Sequence, residues 1–143
     1  MATIYYTAMS LDGFLADAHN SLDWLFQFKT ETNTYAPFIA NVGALAMGAT
    51  TYQWLLDYQV QAGEPTAWPY SMPTWVFTHR RFGVPEGADI RFVQGAVQPV
   101  HDQMLEVAGA RDVWVVGGGE LAGQFYDSGR LNGLILTIAS TTL

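Results

Sequence analysis

Three glycines in a row follow an apolar run and precede a helix-like segment, in Val113-Trp114-Val115-Val116-Gly117-Gly118-Gly119-Glu120-Leu121. Glycine has no Cβ, so a ligand can approach such a backbone closely. A helix beginning there offers free N–H groups and a partial positive charge, which suit a pyrophosphate. A tight turn needs one glycine, and three in succession point to a ligand. The G-x-G-x-x-G spacing of the Rossmann motif is absent. Met47-Gly48-Ala49-Thr50-Thr51-Tyr52 repeats the arrangement, with an apolar run, a glycine and a helix start. Its Thr hydroxyls suit either a second phosphate or an N-cap. Two such junctions in one chain suggest an extended ligand with several phosphates lying across strand ends.

Two further segments carry polar chemistry. In Ser10-Leu11-Asp12-Gly13, Asp12 either contacts a substrate and manages protons or closes an Asx turn before the glycine. Thr78-His79-Arg80-Arg81 holds the only basic pair. Guanidinium groups recognise phosphates, although a solvated loop would also accommodate them. His19, His79 and His101 lack metal-ligand spacing, and no metal is expected. His101, beside Asp102, is expected on a solvated helix face. With no cysteine, disulfide, thiolate and Cys-zinc chemistry are excluded.

The elements that must position these residues alternate. Strands are expected over 2–8, 43–47, 74–78, 90–93, 113–116 and 134–139, where β-branched, aromatic or wholly apolar runs end at glycine or polar signals. Helices are expected over 35–42, from Thr50 or Thr51 to about Asp57, over 99–108 with Pro99 in the first turn, and over 120–127. Residues 59–73 contain Gly63, Pro65, Pro69 and Pro73 and read as a loop. Alternating strand and helix argue for an α/β domain, a three-layer sandwich around a mainly parallel sheet. No repeat or linker divides residues 1–143, so one domain is expected.

Composition agrees. Half of the 143 residues are hydrophobic and 13% are charged, the opposite of a disordered chain. The net charge of −7 disfavours nucleic acid as a partner. No run reaches the ~20 apolar residues of a membrane span, and no basic residue precedes Lys29. A cytoplasmic protein acting on a small molecule is the expectation.

The four chemistry-bearing segments, in this order, resemble the dihydrofolate reductase-like family. The nearer likeness is to the bacterial branch sharing the reductase domain of the riboflavin-biosynthesis deaminase-reductase. Ser10-Leu11-Asp12-Gly13-Phe14-Leu15-Ala16 resembles that branch's opening motif, and Leu22-Asp23-Trp24-Leu25 its next one. Met47 to Tyr52 resembles the Gly-Arg-x-Thr-Tyr segment, Val116 to Leu121 the glycine motif, and Leu136-Thr137-Ile138-Ala139 the strand after it.

The resemblance implies an NADPH-dependent oxidoreductase that passes hydride to a C=N or C=O bond of a small heterocyclic or sugar-linked substrate. Ala8, Leu15 and Ala16 would lie near the nicotinamide. Gly48, Thr50 and Thr51 would meet phosphates, and Thr78, His79 and Arg80 the adenosine 2′-phosphate. Gly117, Gly118, Gly119, Glu120 and Leu121 would cradle the pyrophosphate, with an unusual peptide between the first two glycines. Asp12, Trp24 and Thr137 would face the substrate, with Asp12 the catalytic candidate.

Three departures accompany it. Ala49 replaces the family's Arg, and counting back from Gly48 puts Thr32 where folate reductases carry a buried acid, with Glu31 the candidate only if the register slips by one. The sequence also ends at Leu143, short of the family's last pair of strands, so a homodimer is expected to cover the open edge. The first two keep a non-catalytic nucleotide-binding module as the alternative.

Overall fold

A computed structural model describes residues 1–10, 12, 35–61 and 68–139. Six strands alternate with four helices: β1 (Thr3–Ser10), α1 (Tyr35–Ala40), β2 (Val42–Gly48), α2 (Ala49–Gln61), β3 (Thr74–Phe77), β4 (Ile90–Val93), α3 (Val97–Ala108), β5 (Asp112–Gly117), α4 (Gly119–Asp127) and β6 (Gly133–Ala139). The strands form one sheet in the order β4-β3-β2-β5-β1-β6. Every pairing is parallel, so all six carboxyl ends lie along one edge. This is the α/β three-layer architecture that the alternation implies.

The pleat explains the layers. Ala44 and Ala46 of β2 face one side with Val113 and Val115 of β5, where α3 supplies Val97, Val100 and Met104 and α4 supplies Leu121 and Phe125. Leu45 and Met47 face the other side with Trp114, against Phe38 and Ile39 of α1 and Tyr52 and Leu55 of α2. Small residues on the first face admit a close helix. A Cβ on Gly43 would lie 2.9 Å from the Cα of Ala108. β2 and β5 are apolar on both faces because helices cover both.

The element bounds differ from the sequence expectation in several places: Val42, expected at the end of a helix, opens β2, and α2 runs on to Gln61, past the expected end near Asp57 and into residues expected as loop. α2 begins at Ala49, which puts Thr50 and Thr51 inside its first turn instead of at its cap. α3 begins at Val97, two residues before Pro99. A proline in the first turn lacks an N–H that has no intrahelical partner in any case.

His101 also departs from expectation. It is 4% exposed and not on a solvated face. Its Nε2 lies 2.7 Å from Thr3 Oγ1, and its Nδ1 lies 3.2 Å from Arg130 Nη1. It shares the inward face of α3 with Val97, Val100, Met104 and Ala108, and the 97/100/101/104 spacing is that of one helical stripe.

β6 borders β1 only among the described residues, and Leu134 and Ile138 remain 57% and 51% exposed. No helix of the described residues is long and apolar enough to cross a membrane.

Candidate functional site

β5 runs between β2 and β1 and feeds its chain into α4 at the carboxyl edge of the sheet. In open α/β sheets the crevice outside such strand ends is where ligands bind. A cleft of about 880 Å³ opens there. One wall is the Gly117–Leu121 turn, and the facing wall is Gly48 with Ala49, Thr50 and Thr51 of α2. Beyond them lie Thr78, His79 and Arg80 after β3, with Gln94 and Gly95 after β4. Tyr6, Thr7 and Ala8 of β1, Trp114 of β5, and Tyr70 complete the other end.

The two glycine junctions touch. Met47 pairs with Gly117, and a Cβ added to Gly48 would stand 3.8 Å from Gly117 O and 3.9 Å from Gly118 N. Gly117 has φ +145°, a left-handed value that side chains rarely adopt. The Gly117–Gly118 peptide is cis, the unusual bond that the family resemblance implies. A Cβ on Gly118 or Gly119 would meet nothing within 4 Å, so this turn leaves open space. Gly118 caps α4 with no side-chain hydrogen bond. The first N–H groups of α4 therefore have no side-chain cap at the cleft wall.

Arg80 and Glu120 are the two fully charged groups among the described lining residues. The Arg80 N–H donates to Thr78 Oγ1 at 2.9 Å, and its guanidinium lies over Phe82, 5.0 Å from the ring centre. His79 Nδ1 is 3.1 Å from Gln94 Oε1, which joins the segments after β3 and β4. Arg81 does not line the cleft. Ala49 does, so α2 begins there without a cation.

The structure thus gathers Ala8, Gly48, Thr50, Thr51, Thr78, His79, Arg80, Gly117, Gly118, Gly119, Glu120 and Leu121 around one cleft. Asp12 and Thr137 are not among its lining residues. Asp12 is exposed and accepts a 2.6 Å hydrogen bond from the Ser10 hydroxyl. Thr137 pairs with Ala8 across the β1–β6 ladder, one strand away from the cleft. Leu15, Ala16 and Trp24 lie outside the described residues, as do Thr32 and His19. No group of three His, Asp or Glu side chains among the described residues is placed to hold a metal.

Sequence reasoning missed Tyr6, Tyr70 and Trp114. Tyr70 sits in a proline-rich connection with no periodicity to mark it. Its ring and that of Tyr35 stand edge-on to Trp114, each with ring centres 5.8 Å apart. Burial, followed by the charge of and hydrogen bond with Tyr35, raises the Tyr70 phenol far above its ordinary pKa.

No protein-family model matches the chain. The uncharacterised protein YwjB of Bacillus subtilis is 29% identical over 146 residues, a span covering 99% of this chain and 78% of that one. A crystal structure of a "Putative riboflavin biosynthesis protein" from Shewanella sp. PV-4 superposes with a TM-score of 0.81 at 26% identity, covering 99% of this chain and 78% of that one. The chain therefore has the fold of that Shewanella protein.

Proposed function

We propose that the cleft binds NADPH and that the protein is a reductase acting on a C=N or C=O bond of a small heterocyclic or sugar-linked substrate, of the pterin or riboflavin-precursor kind. One observation carries this reading: Gly48, Thr51 and the Gly117–Gly118 peptide meet where two helices begin in one cleft. The name of the Shewanella neighbour supports a role of this general kind.

The cleft's residues fit a dinucleotide. Uncapped N–H groups at the start of α4, the open space beside Gly118 and Gly119, and the hydroxyls of Thr50 and Thr51 suit phosphates. Glu120 and Leu121 would take part through their backbone. Arg80, with Thr78 and His79, suits a 2′-phosphate at the β3 end. Ala8, Leu15 and Ala16 would border the nicotinamide. When bound, NADPH supplies the hydride; the protein aligns the reacting faces and excludes water. Asp12 would place the substrate or manage a proton, and Trp24 and Thr137 would face the substrate with it. β6, with its exposed Leu134 and Ile138, would pair in a homodimer, checked by light scattering at micromolar concentration.

The test is parallel titration with NADPH and NADH, read by tryptophan fluorescence and melting temperature. Saturable NADPH binding is expected, with about 2.7 kcal/mol of stabilisation at ~100 times the dissociation constant. A chain that melts cooperatively and binds neither cofactor would refute the reading. Ala49, which leaves α2 without a cation at the cleft, favours a second reading as a non-catalytic nucleotide-binding module. That module binds dinucleotide without oxidising it in the presence of any acceptor.

A further inference from the structure

Arg80 is the one guanidinium among the described lining residues of the cleft, and its side chain has no hydrogen-bond or ion-pair partner among the described residues. Arg91 and Arg130 differ, since each is tied to a carboxylate, that of Asp89 and of Asp102. Arg80 is held by a ring instead. Its guanidinium carbon lies over the face of Phe82, 5.0 Å from the ring centre. The negative face of an aromatic ring attracts a cation within ~6 Å. That attraction consumes none of the guanidinium N–H donors, which stay free for an anion.

Phe82 is itself held from two sides. The fully buried Tyr52 of α2 stands edge-on to it with ring centres 5.5 Å apart, and Phe92 of β4 stacks on it at 6.2 Å. The Tyr52 hydroxyl donates to Gly83 O at 2.7 Å, which pins the backbone one residue beyond Phe82. An arginine side chain loses rotamer freedom when a ligand orders it. A ring already in place takes part of that loss before the ligand arrives. Tyr52 also follows directly on Thr51, which lines the cleft opposite the Gly117–Leu121 turn. One helix thus sets the wall suited to phosphates and, through two rings, the place of the guanidinium.

We infer that Phe82, which is not among the lining residues, is the positioning residue for Arg80, and that its ring sets how strongly the cleft prefers a dinucleotide bearing the adenosine 2′-phosphate. The inference rests on the reductase reading above and names what holds its specificity group in place.

The experiment measures NADPH and NADH dissociation constants by tryptophan fluorescence for the wild type, Phe82→Leu, Arg80→Gln and the double variant. Phe82→Leu keeps an apolar side chain beside Tyr52 and removes the ring face. It is expected to weaken NADPH about two- to fivefold, the worth of one cation–π contact, and to leave NADH unchanged. In the Arg80→Gln background the same substitution is expected to change neither. A purely structural role for Phe82 would weaken both dinucleotides together, with or without the guanidinium. Replacing Phe82 by pentafluorophenylalanine keeps the ring's outline but withdraws the negative charge from its face. It is expected to lose the same share of NADPH affinity, and it carries the test if Phe82→Leu does not fold.

A wild type that prefers NADPH, with that preference intact in both position-82 variants, overturns the inference and leaves the reductase reading standing. Equal losses for both dinucleotides overturn it as well. A wild type that binds NADPH and NADH equally removes Arg80 as the reader of the 2′-phosphate, and the inference with it. A chain that binds neither refutes the reductase reading itself.

Discussion

Acidification should loosen the domain through His101. A guanidinium only donates hydrogen bonds, so Arg130 Nη1, 3.2 Å away, makes His101 Nδ1 an acceptor. The ring proton then sits on Nε2 and is donated to Thr3 Oγ1 at 2.7 Å. Burial first, and the Arg130 charge second, lower the His101 pKa, while Asp102 on the same helix opposes them. Phe125 of α4 presents its ring edge-on at 5.5 Å and offers no charge. The native state therefore binds fewer protons than the unfolded chain in this range. The neutral-His contribution is fully present above the unfolded pKa near ~6.5 and is lost as pH falls below it toward the lower folded value. One proton limits the slope to about 1.4 kcal/mol per pH unit, so passing from pH 6.5 to 5.5 costs at most ~1.4 kcal/mol. For a domain of this size that is roughly 3–6 °C in melting temperature. The assay is thermal unfolding at half-unit steps from pH 8 to 5.5, repeated on His101→Gln. Glutamine can accept from Arg130 and donate to Thr3 but does not titrate. A wild type that is flat across this window, or a His101→Gln variant with the same slope, would refute the assignment.

Other perturbations test the cleft. Arg80→Gln should weaken NADPH by about 10–100-fold, the loss of one charge-assisted phosphate contact, and leave NADH within about twofold in the same fluorescence titration. Ala49→Arg places a guanidinium at the start of α2 on the cleft wall and should tighten NADPH by about tenfold at low salt, with the gain shrinking as salt rises. Asp12→Asn should lower turnover without altering NADPH affinity, and weaker NADPH binding instead would make Asp12 a cofactor residue. Phe125→Ala, which empties a fully buried site between α4 and the sheet, should cost about 3–5 kcal/mol in urea unfolding.

Where the chain announces its fold, it does so through burial on two sides. Gly43 to Met47 and Val113 to Val116 are apolar without alternation, and each ends at glycine; they become the two central strands β2 and β5. β4 matches its expected span although it is short, because Ile90 and Val93 pack against the buried clusters on the two faces of the sheet. His101 was misplaced by its neighbour. Asp102 suggests solvent, yet the inward stripe of α3 runs through 97, 100, 101 and 104. Its partners Thr3 and Arg130 lie 98 and 29 residues away, and no local pattern connects them. Tyr70 left no trace for a related reason. Its place in the cleft comes from its ring contact with Trp114, far along the chain, while the prolines around it say only that the segment is irregular.

The cleft itself was legible because a parallel sheet converts sequence order into a place. Each motif followed a strand, and in an all-parallel sheet every strand's carboxyl end falls on one edge, so segments after residues 47, 77 and 116 converge without contacting one another in sequence. What the motifs could not convey is the order of the strands. β5 enters between β2 and β1, and that insertion sets the triple glycine against Gly48 and the start of α2 instead of at the sheet's rim. The same arrangement reconciles an anion-binding reading with a chain of net charge −7. Helix-end N–H groups and hydroxyls can donate to a phosphate without adding formal charge, and Arg80 is the one guanidinium among the described lining residues. Binding carried mainly by neutral donors should depend only weakly on ionic strength, whereas the Arg80 contribution should not, so the salt dependence of NADPH and NADH separates the two parts of the cleft.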